Sequence, residues 1–181
     1  MEERRLRVEL LSNTDLGSIK EALDRRGVKL DAISLLDHVV YMFEIEDCSR
    51  VTTHQLVRHR MASYDQESQR FSAATKEGCV IPPTIQSNGE ALKVYDTALK
   101  GVYEAFEKMI SLGVPKEDAR YVLPNATKTK LVMTVSARSL MHIAWQRTAL
   151  QAQWEIRAVV SEMMKLAKQA TPELWVSLVE G

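Results

Sequence analysis

Apolar and polar residues along this chain repeat with two periods, one typical of strands and one typical of helices. Apolar residues alternate with polar ones from Leu6 to Leu11, as they do in a half-buried strand. The segment Asp37–Glu46 is rich in β-branched and aromatic residues, and Thr127–Val135 has a similar composition. The pattern therefore predicts three strands.

Other segments repeat their apolar residues at steps of three and four, which predicts amphipathic helices. The clearest stripe consists of Leu92, Tyr95, Leu99, Val102, Phe106 and Met109. Ser87 and Glu90 are predicted to form the capping box of this helix, and Gly113 to end it. Three further helices are predicted to start at side-chain caps: one capped by Asp15 and ending near Gly27, one capped by Ser49 and one capped by Ser136. Another helix is predicted within residues 151–169, and a short last helix begins with Thr171, Pro172 and Glu173. A helical turn is predicted to start at Pro115. Strands and helices together indicate an α+β fold, with several helices around a modest sheet.

The composition is that of a globular protein with no excess of either charge. Of the 181 residues, 45% are hydrophobic, and 24 Lys and Arg residues balance 24 Asp and Glu residues. A protein that binds nucleic acid through its overall field is usually basic, so zero net charge favours a small anionic ligand. We expect one domain over residues 1–181, because no repeat, linker or low-complexity segment divides the chain.

The sequence also predicts where the protein resides. The N-terminal segment has no apolar signal region, and no apolar run approaches the length of a membrane span. Cys48 and Cys79 form no CxxC pair, which suits a reducing compartment. We expect a soluble cytoplasmic protein with no membrane partner, in which both cysteines are buried small hydrophobes and Trp145 and Trp154 are core residues.

Several common signatures are missing from the sequence. It contains no GxGxxG, no GxxxxGK[ST] and no GxSxG, so a Rossmann dinucleotide site, a P-loop and a hydrolase elbow are unsupported. The four histidines form neither HExxH nor HxxxH and have no cysteine pair beside them. No metal site is therefore predicted.

Hydrogen-bond donors for anions are concentrated in two parts of the chain. The stretch from Arg58 to Arg70 contains an Arg-His-Arg triplet at residues 58–60 together with serines and glutamines. We expect the preceding helix to stop near Val57, so that the triplet turns into a cleft where guanidinium groups bind phosphate or carboxylate. The second set comprises Arg138, His142 and Arg147, and Arg120 lies between the two sets. A solvated, salt-bridged surface is the alternative interpretation of such a cluster.

The Arg-His-Arg triplet, seven residues and then Ser68 resemble the signature of the flavin-dependent thymidylate synthases. The segment FEIEDCSRVTTHQLVRHRMASYDQESQRF, the block ARYVLP at Ala119–Pro124 and the block SARSLMHIAWQRTALQAQWEIR are all similar to that family. Together they cover most of the chain from about His38 onward.

The resemblance implies a fold and an activity. The fold would be α+β, with a small, mostly antiparallel sheet packed with several helices. The enzyme would be a homotetramer with shared sites that binds FAD without a Rossmann fold. It would convert dUMP to dTMP with methylenetetrahydrofolate as carbon donor, NADPH as reductant of the flavin and no cysteine nucleophile. The anions that need the arginines would be the phosphate of dUMP and the pyrophosphate of FAD.

The resemblance also implies site residues. The dUMP site would comprise Gln55, Arg58, Gln66, Glu67, Ser68, Gln69, Arg70, Arg120 and Arg147. The FAD site would comprise Ser34, Arg58, His59, Arg60, Gln66, Ser136, Arg138 and His142. Arg147 and Ser68 would be catalytic, with Arg147 against a uracil carbonyl and N3 and Ser68 close to the uracil.

The chain departs from the family pattern at several positions, which motivates a second hypothesis. Asp65 and Gln66 replace the usual Asn-Glu pair, Ser136 replaces an asparagine, and Ala32 replaces a histidine. A divergent flavoenzyme that binds FAD and another pyrimidine nucleotide, or that oxidises NADPH, is the alternative. A non-enzymatic nucleic-acid-binding domain is a third reading, which zero net charge and the lack of interleaved aromatic residues argue against.

Overall fold

A computed structural model describes residues 6–70 and 78–176, and its centre is an antiparallel sheet. The four strands are β1 (Arg7–Asn13), β2 (Val40–Ser49), β3 (Ala62–Gln66) and β4 (Lys128–Ser136), and their order in the sheet is β1-β2-β4-β3. All three neighbouring pairs are antiparallel. The predicted α+β class with a small antiparallel sheet is confirmed.

Helices connect the strands and occupy most of the predicted positions. They are α1 (Leu16–Asp24), α2 (Ala32–His38), α3 (Arg50–Leu56), α4 (Pro83–Gln86), α5 (Gly89–Ser111), α6 (Lys116–Ala119), α7 (Ala137–Arg147), α8 (Trp154–Ala170) and α9 (Pro172–Val176), with a 3-10 turn at Arg120–Val122. Asp15, Ser49 and Ser136 accept backbone N–H groups at the starts of α1, α3 and α7, so these three predicted caps are confirmed.

The core lies on one face of the sheet, where the two central strands meet the helices. Tyr41, Phe43 and Ile45 of β2 are fully buried, and Leu131 and Met133 of β4 lie beside them. The facing stripe of α8 has the predicted members Ile156, Val159, Met163 and Ala167, all of them fully buried. Each large apolar side chain buried here contributes about 1.5–3 kcal/mol, which makes this layer the main source of stability.

The predicted strand Asp37–Glu46 is wrong at both ends. Asp31 accepts the backbone N–H of Ser34 at 2.7 Å and thereby starts α2, which continues through His38. At the other end, β2 continues to Ser49 because a bulge inserts one residue between Ile45 and Cys48, where Asp47 has a φ of 56°. The bulge turns Cys48 back toward the core, which simple alternation does not predict.

Two further differences concern segments with weak patterns. Asn88, not Ser87, caps α5, since its side chain accepts the N–H groups of Glu90 and Ala91, whereas Ser87 ends α4. Strand β3 was not predicted. It begins at Ala62, two positions after the Arg-His-Arg triplet, and three of its five residues are strongly polar or charged, so its alternation is hard to see in the sequence.

A buried carboxylate joins α8 to the start of α3. Glu155, in the first turn of α8, is 1% exposed. It accepts hydrogen bonds from the Ser49 backbone N–H at 2.7 Å, from the Ser49 hydroxyl and from the Thr52 hydroxyl at 2.8 Å. A carboxylate is buried at tolerable cost only when donors satisfy it in this way. Glu155 therefore sets the position of α3, which leads into the Arg-His-Arg triplet.

Replacing this carboxylate should destabilise the fold. In Glu155→Gln, one acceptor oxygen becomes an amide donor that faces hydroxyl or N–H donors, so the free energy of unfolding should fall by about 1–3 kcal/mol. Urea unfolding followed by circular dichroism measures the change. Glu162→Gln on the same helix, where the carboxylate binds the exposed Lys165, is the control and should cost much less. Equal stability of the two variants would contradict the assigned role.

Candidate functional site

The Arg-His-Arg triplet forms a tight turn between α3 and β3. Helix α3 ends at Leu56 with Val57 as its C-cap, so the predicted stop near Val57 is confirmed. The hydroxyl of Tyr64 in β3 donates to the carbonyl oxygens of Leu56, at 2.8 Å, and His59, at 3.0 Å. These two bonds fasten the turn to the strand that follows it.

The three side chains of the triplet do not enter one cleft together, in contrast to the expectation. Arg58 and Arg60 are exposed, whereas His59 is only 5% exposed. Within residues 6–70 and 78–176, neither Arg58 nor Arg60 has a side-chain hydrogen bond or an ion pair. Two exposed guanidinium groups flanking a buried imidazole are therefore available to an anion at the surface.

His59 joins the two predicted donor sets, which lie 88 residues apart in sequence. Nε of Arg147, the last residue of α7, donates to Nε2 of His59 at 2.9 Å. Burial lowers the pKa of His59 below its ordinary value of 6.5, and the nearby Arg147 and His142 add to this effect. A ring nitrogen that accepts from a guanidinium carries no proton, so His59 is neutral in this arrangement.

A second group of charged residues, which we call the arginine cluster, contains Arg50, Glu67, Arg70, Glu117 and Arg120. Arg50 Nη2 donates to the Glu67 carbonyl oxygen at 3.0 Å. Arg70 pairs with the Glu117 carboxylate at 2.9 Å, and Arg120 Nε donates to the Glu117 carbonyl oxygen at 3.1 Å. Glu67 and Arg70 were predicted from one motif and Arg120 from a block about fifty residues further on, and Glu117 contacts both parts.

Other residues predicted for the dUMP site make hydrogen bonds with groups of the protein itself. The Ser68 hydroxyl accepts the Arg70 backbone N–H at 3.3 Å, and Gln69 is half-buried. Gln66 Nε2 lies 3.0 Å from Thr53 Oγ1 and 3.3 Å from Thr129 Oγ1, while Gln55 Nε2 donates to the Val51 carbonyl oxygen at 3.3 Å. Their predicted roles toward a nucleotide stay predictions.

The remaining residues predicted for FAD lie on α2, on α7 and at the end of β4. Arg138 Nε donates to the Asp37 carboxylate at 2.6 Å, and its Nη2 donates to the Ile33 carbonyl oxygen at 2.6 Å, next to Ser34. Ser136 caps α7 by accepting the Ser139 N–H. His142 forms a 2.9 Å hydrogen bond with Gln146. Arg138, His142 and Arg147 thus have different partners although they share one helix.

The cysteines follow the prediction, but one tryptophan does not. Cys48 and Cys79 are buried, and burial raises the pKa of Cys48 to about 12 and also raises that of Cys79, so both stay protonated thiols. Trp145 is 76% exposed rather than part of the core, because Leu140, Ile143 and Ala144 form the buried face of α7. Trp154 is half-buried.

Neither a candidate membrane span nor a candidate metal cluster is present among residues 6–70 and 78–176. In the described part of the chain, no helix combines the length and apolar character that a membrane crossing needs. Among the same residues, no three His, Cys, Asp or Glu side chains are grouped so that they could hold a metal ion.

Comparison with known proteins gives consistent matches. The family model described as thymidylate synthase complementing protein matches residues 4–173. The chain is similar to the flavin-dependent thymidylate synthase of Geobacter sulfurreducens, with 42% identity over 144 residues, 78% of this chain and 62% of that protein. It is similar to that of Sulfolobus acidocaldarius, with 44% identity over 78% of this chain and 55% of that protein. The match to that of Pyrococcus furiosus has 42% identity over 73% of this chain and 56% of that protein. The chain thus spans less than two thirds of the length of these curated relatives.

Acid should destabilise the protein through His59. As the pH falls below 6.5, the ordinary pKa of a histidine, His59 becomes protonated in the unfolded chain while it is still neutral in the folded protein. The free energy of unfolding should therefore fall as the pH decreases through this range toward the lower folded pKa. Urea unfolding at a series of pH values between about 5 and 7.5 measures the slope.

His59→Gln should reduce this slope, because the glutamine carbonyl can accept from Arg147 but does not titrate. His54→Gln is the matched control, since His54 is an exposed histidine on α3 whose loss leaves the His59–Arg147 bond intact. A slope that His54→Gln reduces and His59→Gln leaves unchanged would show that His59 is not the responsible group.

Proposed function

This chain belongs to the thymidylate synthase complementing protein family, and we propose from that premise that it converts dUMP to dTMP. Methylenetetrahydrofolate would supply the carbon, and NADPH would supply the electrons through FAD. The observation that carries the proposal is the hydrogen bond from Arg147 to His59, because it joins the Arg-His-Arg signature to the arginine expected to act on the uracil. Its similarity to flavin-dependent thymidylate synthases favours this activity over another pyrimidine substrate.

The phosphate of dUMP would bind at the arginine cluster. Arg70 and Arg120 provide guanidinium forks, whose geometry suits phosphate oxygens. The backbone N–H of Glu67 donates to the Lys130 carbonyl oxygen at 2.9 Å, which fastens the segment Glu67–Arg70 to β4. The segment is thus held by the sheet at its start and by Glu117 at its end, so its polar groups are positioned before the nucleotide arrives.

FAD fits the donors around the triplet. The exposed Arg58 and Arg60 have no carboxylate partner in the described part of the chain, as expected of groups that bind a pyrophosphate. We propose that Ser34, Gln66, His59, Ser136, Arg138 and His142 provide the remaining contacts. When bound, the flavin supplies the hydride that reduces the transferred carbon to a methyl group.

Arg147 would act on the uracil ring. C5 becomes nucleophilic as electron density moves within the ring, and a fixed cation beside a uracil carbonyl and N3 stabilises the developing negative charge. His59 accepts from Nε of Arg147, which orients the guanidinium and leaves its two Nη groups for the uracil. A neutral His59 also adds no positive charge beside Arg147.

Ser68 would position the uracil, and no cysteine need attack it. Formation of the new bond at C5 would be balanced by loss of the C5 proton, and cleavage of the carbon–nitrogen bond to the folate would release tetrahydrofolate so that hydride can reduce the transferred carbon to a methyl group. Both thiols are buried with raised pKa values, which supports a route without a thiolate nucleophile.

We further propose a single domain over residues 1–181 that assembles as a homotetramer in the cytoplasm. The predicted dUMP and FAD residues lie in separate groups on one chain, and sharing between subunits would combine them. Tyr121, Trp145 and Leu150 expose large apolar surfaces, with exposed fractions of 85%, 76% and 86%, which supports burial against other copies. Neither a membrane nor a nucleic acid is required as a partner.

Reconstitution tests the proposed activity. Purified protein is loaded with FAD, freed of excess, and titrated with dUMP, dCMP and UMP while the flavin absorption spectrum is recorded. A retained flavin band that dUMP shifts preferentially, with dTMP formed after methylenetetrahydrofolate and NADPH are added, is expected. Retained flavin with no preference for dUMP would favour the divergent flavoenzyme instead.

Removing the guanidinium of Arg147 should lower the rate of dTMP formation without releasing FAD. Arg147→Ala should retain FAD but lose about a hundredfold to a thousandfold in turnover, the usual cost of removing one donor that stabilises developing charge. Arg25→Ala is the control, since Arg25 is exposed and pairs with Glu21 on α1. Near-normal dTMP formation by Arg147→Ala would remove Arg147 from the mechanism.

A further inference from the structure

Tyr64 is the middle residue of β3, and no sequence motif assigns it to a binding site. Its ring packs against the hydrophobic core, and its backbone pairs with Met133 in the neighbouring strand β4. Its hydroxyl hydrogen is shared between the carbonyl oxygens of Leu56, at 2.8 Å, and His59, at 3.0 Å. One side chain that the sheet holds in place therefore contacts both the end of α3 and the middle of the Arg-His-Arg triplet.

The backbone hydrogen bonds within the turn are local. The His59 N–H donates to the Leu56 carbonyl oxygen at 3.1 Å, and the Ala62 N–H donates to the His59 carbonyl oxygen at 3.3 Å. Bonds between residues three positions apart define the shape of a turn but not its position relative to a sheet. The Tyr64 hydroxyl sets that position, because Tyr64 belongs to a strand that pairs with β4.

Strand β4 also leads to the partner of His59. It ends at Ser136, and α7 begins at the next residue and ends at Arg147. The imidazole of His59, which is 5% exposed, accepts from Nε of Arg147 at 2.9 Å. β4 is therefore the common frame of this contact, because it positions His59 through Tyr64 and Arg147 through α7.

We propose that Tyr64 is a positioning residue that holds His59 at the depth from which His59 orients Arg147 toward the uracil. Tyr64 acts through His59 and does not itself bind nucleotide or flavin. The part that concerns the uracil rests on the proposed function, whereas the contact between His59 and Arg147 does not. Burial raises the pKa of Tyr64 to about 12, so its hydroxyl remains a donor at neutral pH.

A purely structural role would be to satisfy two carbonyl oxygens, and a second tyrosine separates the two roles. Tyr95 on α5 is also half-buried, and its hydroxyl donates to the Val80 carbonyl oxygen at 2.8 Å. Burial raises its pKa to about 12 as well. Tyr64→Phe and the control Tyr95→Phe thus each remove one hydroxyl that donates to the backbone, and both should lower the midpoint of urea unfolding.

The first measurement needs no ligand. The pKa of His59 is followed by NMR of the histidine rings in the wild type and in both variants. In Tyr64→Phe it should move up toward the ordinary value of 6.5, because His59 becomes less buried and farther from the positive charges of Arg147 and His142. In Tyr95→Phe it should stay at the wild-type value. A His59 titration that is unchanged in Tyr64→Phe would overturn the proposal.

The second measurement is turnover of the FAD-loaded protein. Tyr64→Phe should lower kcat for dTMP formation by about fivefold to tenfold, the equivalent of one hydrogen bond, and leave KM for dUMP within about twofold. Tyr95→Phe should change neither constant by more than about twofold. In a His59→Gln background Tyr64→Phe should have no further effect on kcat, because its influence passes through His59. Equal losses of kcat in the two tyrosine variants would overturn the proposal.

Failure of this inference and failure of the proposed function give different results. If the wild type forms no dTMP but the pKa of His59 depends on Tyr64, the positioning of His59 stands and the thymidylate synthase activity is refuted. Normal dTMP formation and an unchanged His59 pKa in Tyr64→Phe would refute the role of Tyr64 and leave the activity standing. A Tyr64→Phe protein that does not fold, beside a folded Tyr95→Phe, would also refute it, because the hydroxyl would then be needed for the whole fold.

Discussion

The buried carboxylate of Glu155 is the constraint on which the candidate site depends. It accepts three hydrogen bonds from Ser49 and Thr52 and so fixes where β2 ends and α3 begins. The first residue of α3 is Arg50, and the turn after α3 is the Arg-His-Arg triplet. Because Arg50 and the triplet lie at the two ends of one seven-residue helix, one buried contact with α8 helps to position both.

The numbers of acidic and basic residues are equal, but the ion pairs between them are unevenly distributed over the molecule. On the sheet face away from the core, Lys130 binds Glu44 at 2.6 Å and Glu46 at 2.8 Å, and Arg7 binds Glu46. In the described part of the chain, the arginines at 50, 58, 60, 120 and 147 have no such carboxylate partner. A neutral protein can therefore present local cations to a small anion, and a positive net charge is not needed.

Sequence patterns predicted the parts of the fold whose formation is local. The capping side chains of Asp15, Ser49 and Ser136 accept backbone N–H groups that lie two or three residues further along the chain. A few neighbouring residues are therefore enough to predict these caps from the sequence. Strand β3 was missed because its pairing with β4 joins segments about seventy residues apart in the chain. The bulge at Asp47 was missed for a similar reason, since it exists only relative to the partner strand.

The sequence by itself determined the family, the fold class and the main donor residues, because these follow from local motifs and periodicity. Only the tertiary structure decided which donors meet. His59 turns inward to accept from Arg147, while Arg58 and Arg60 stay exposed, and Arg70 pairs with Glu117 although no motif connects them. Burial and the distances between remote segments are set by packing, and packing decides which charges are paired and which remain open to a ligand.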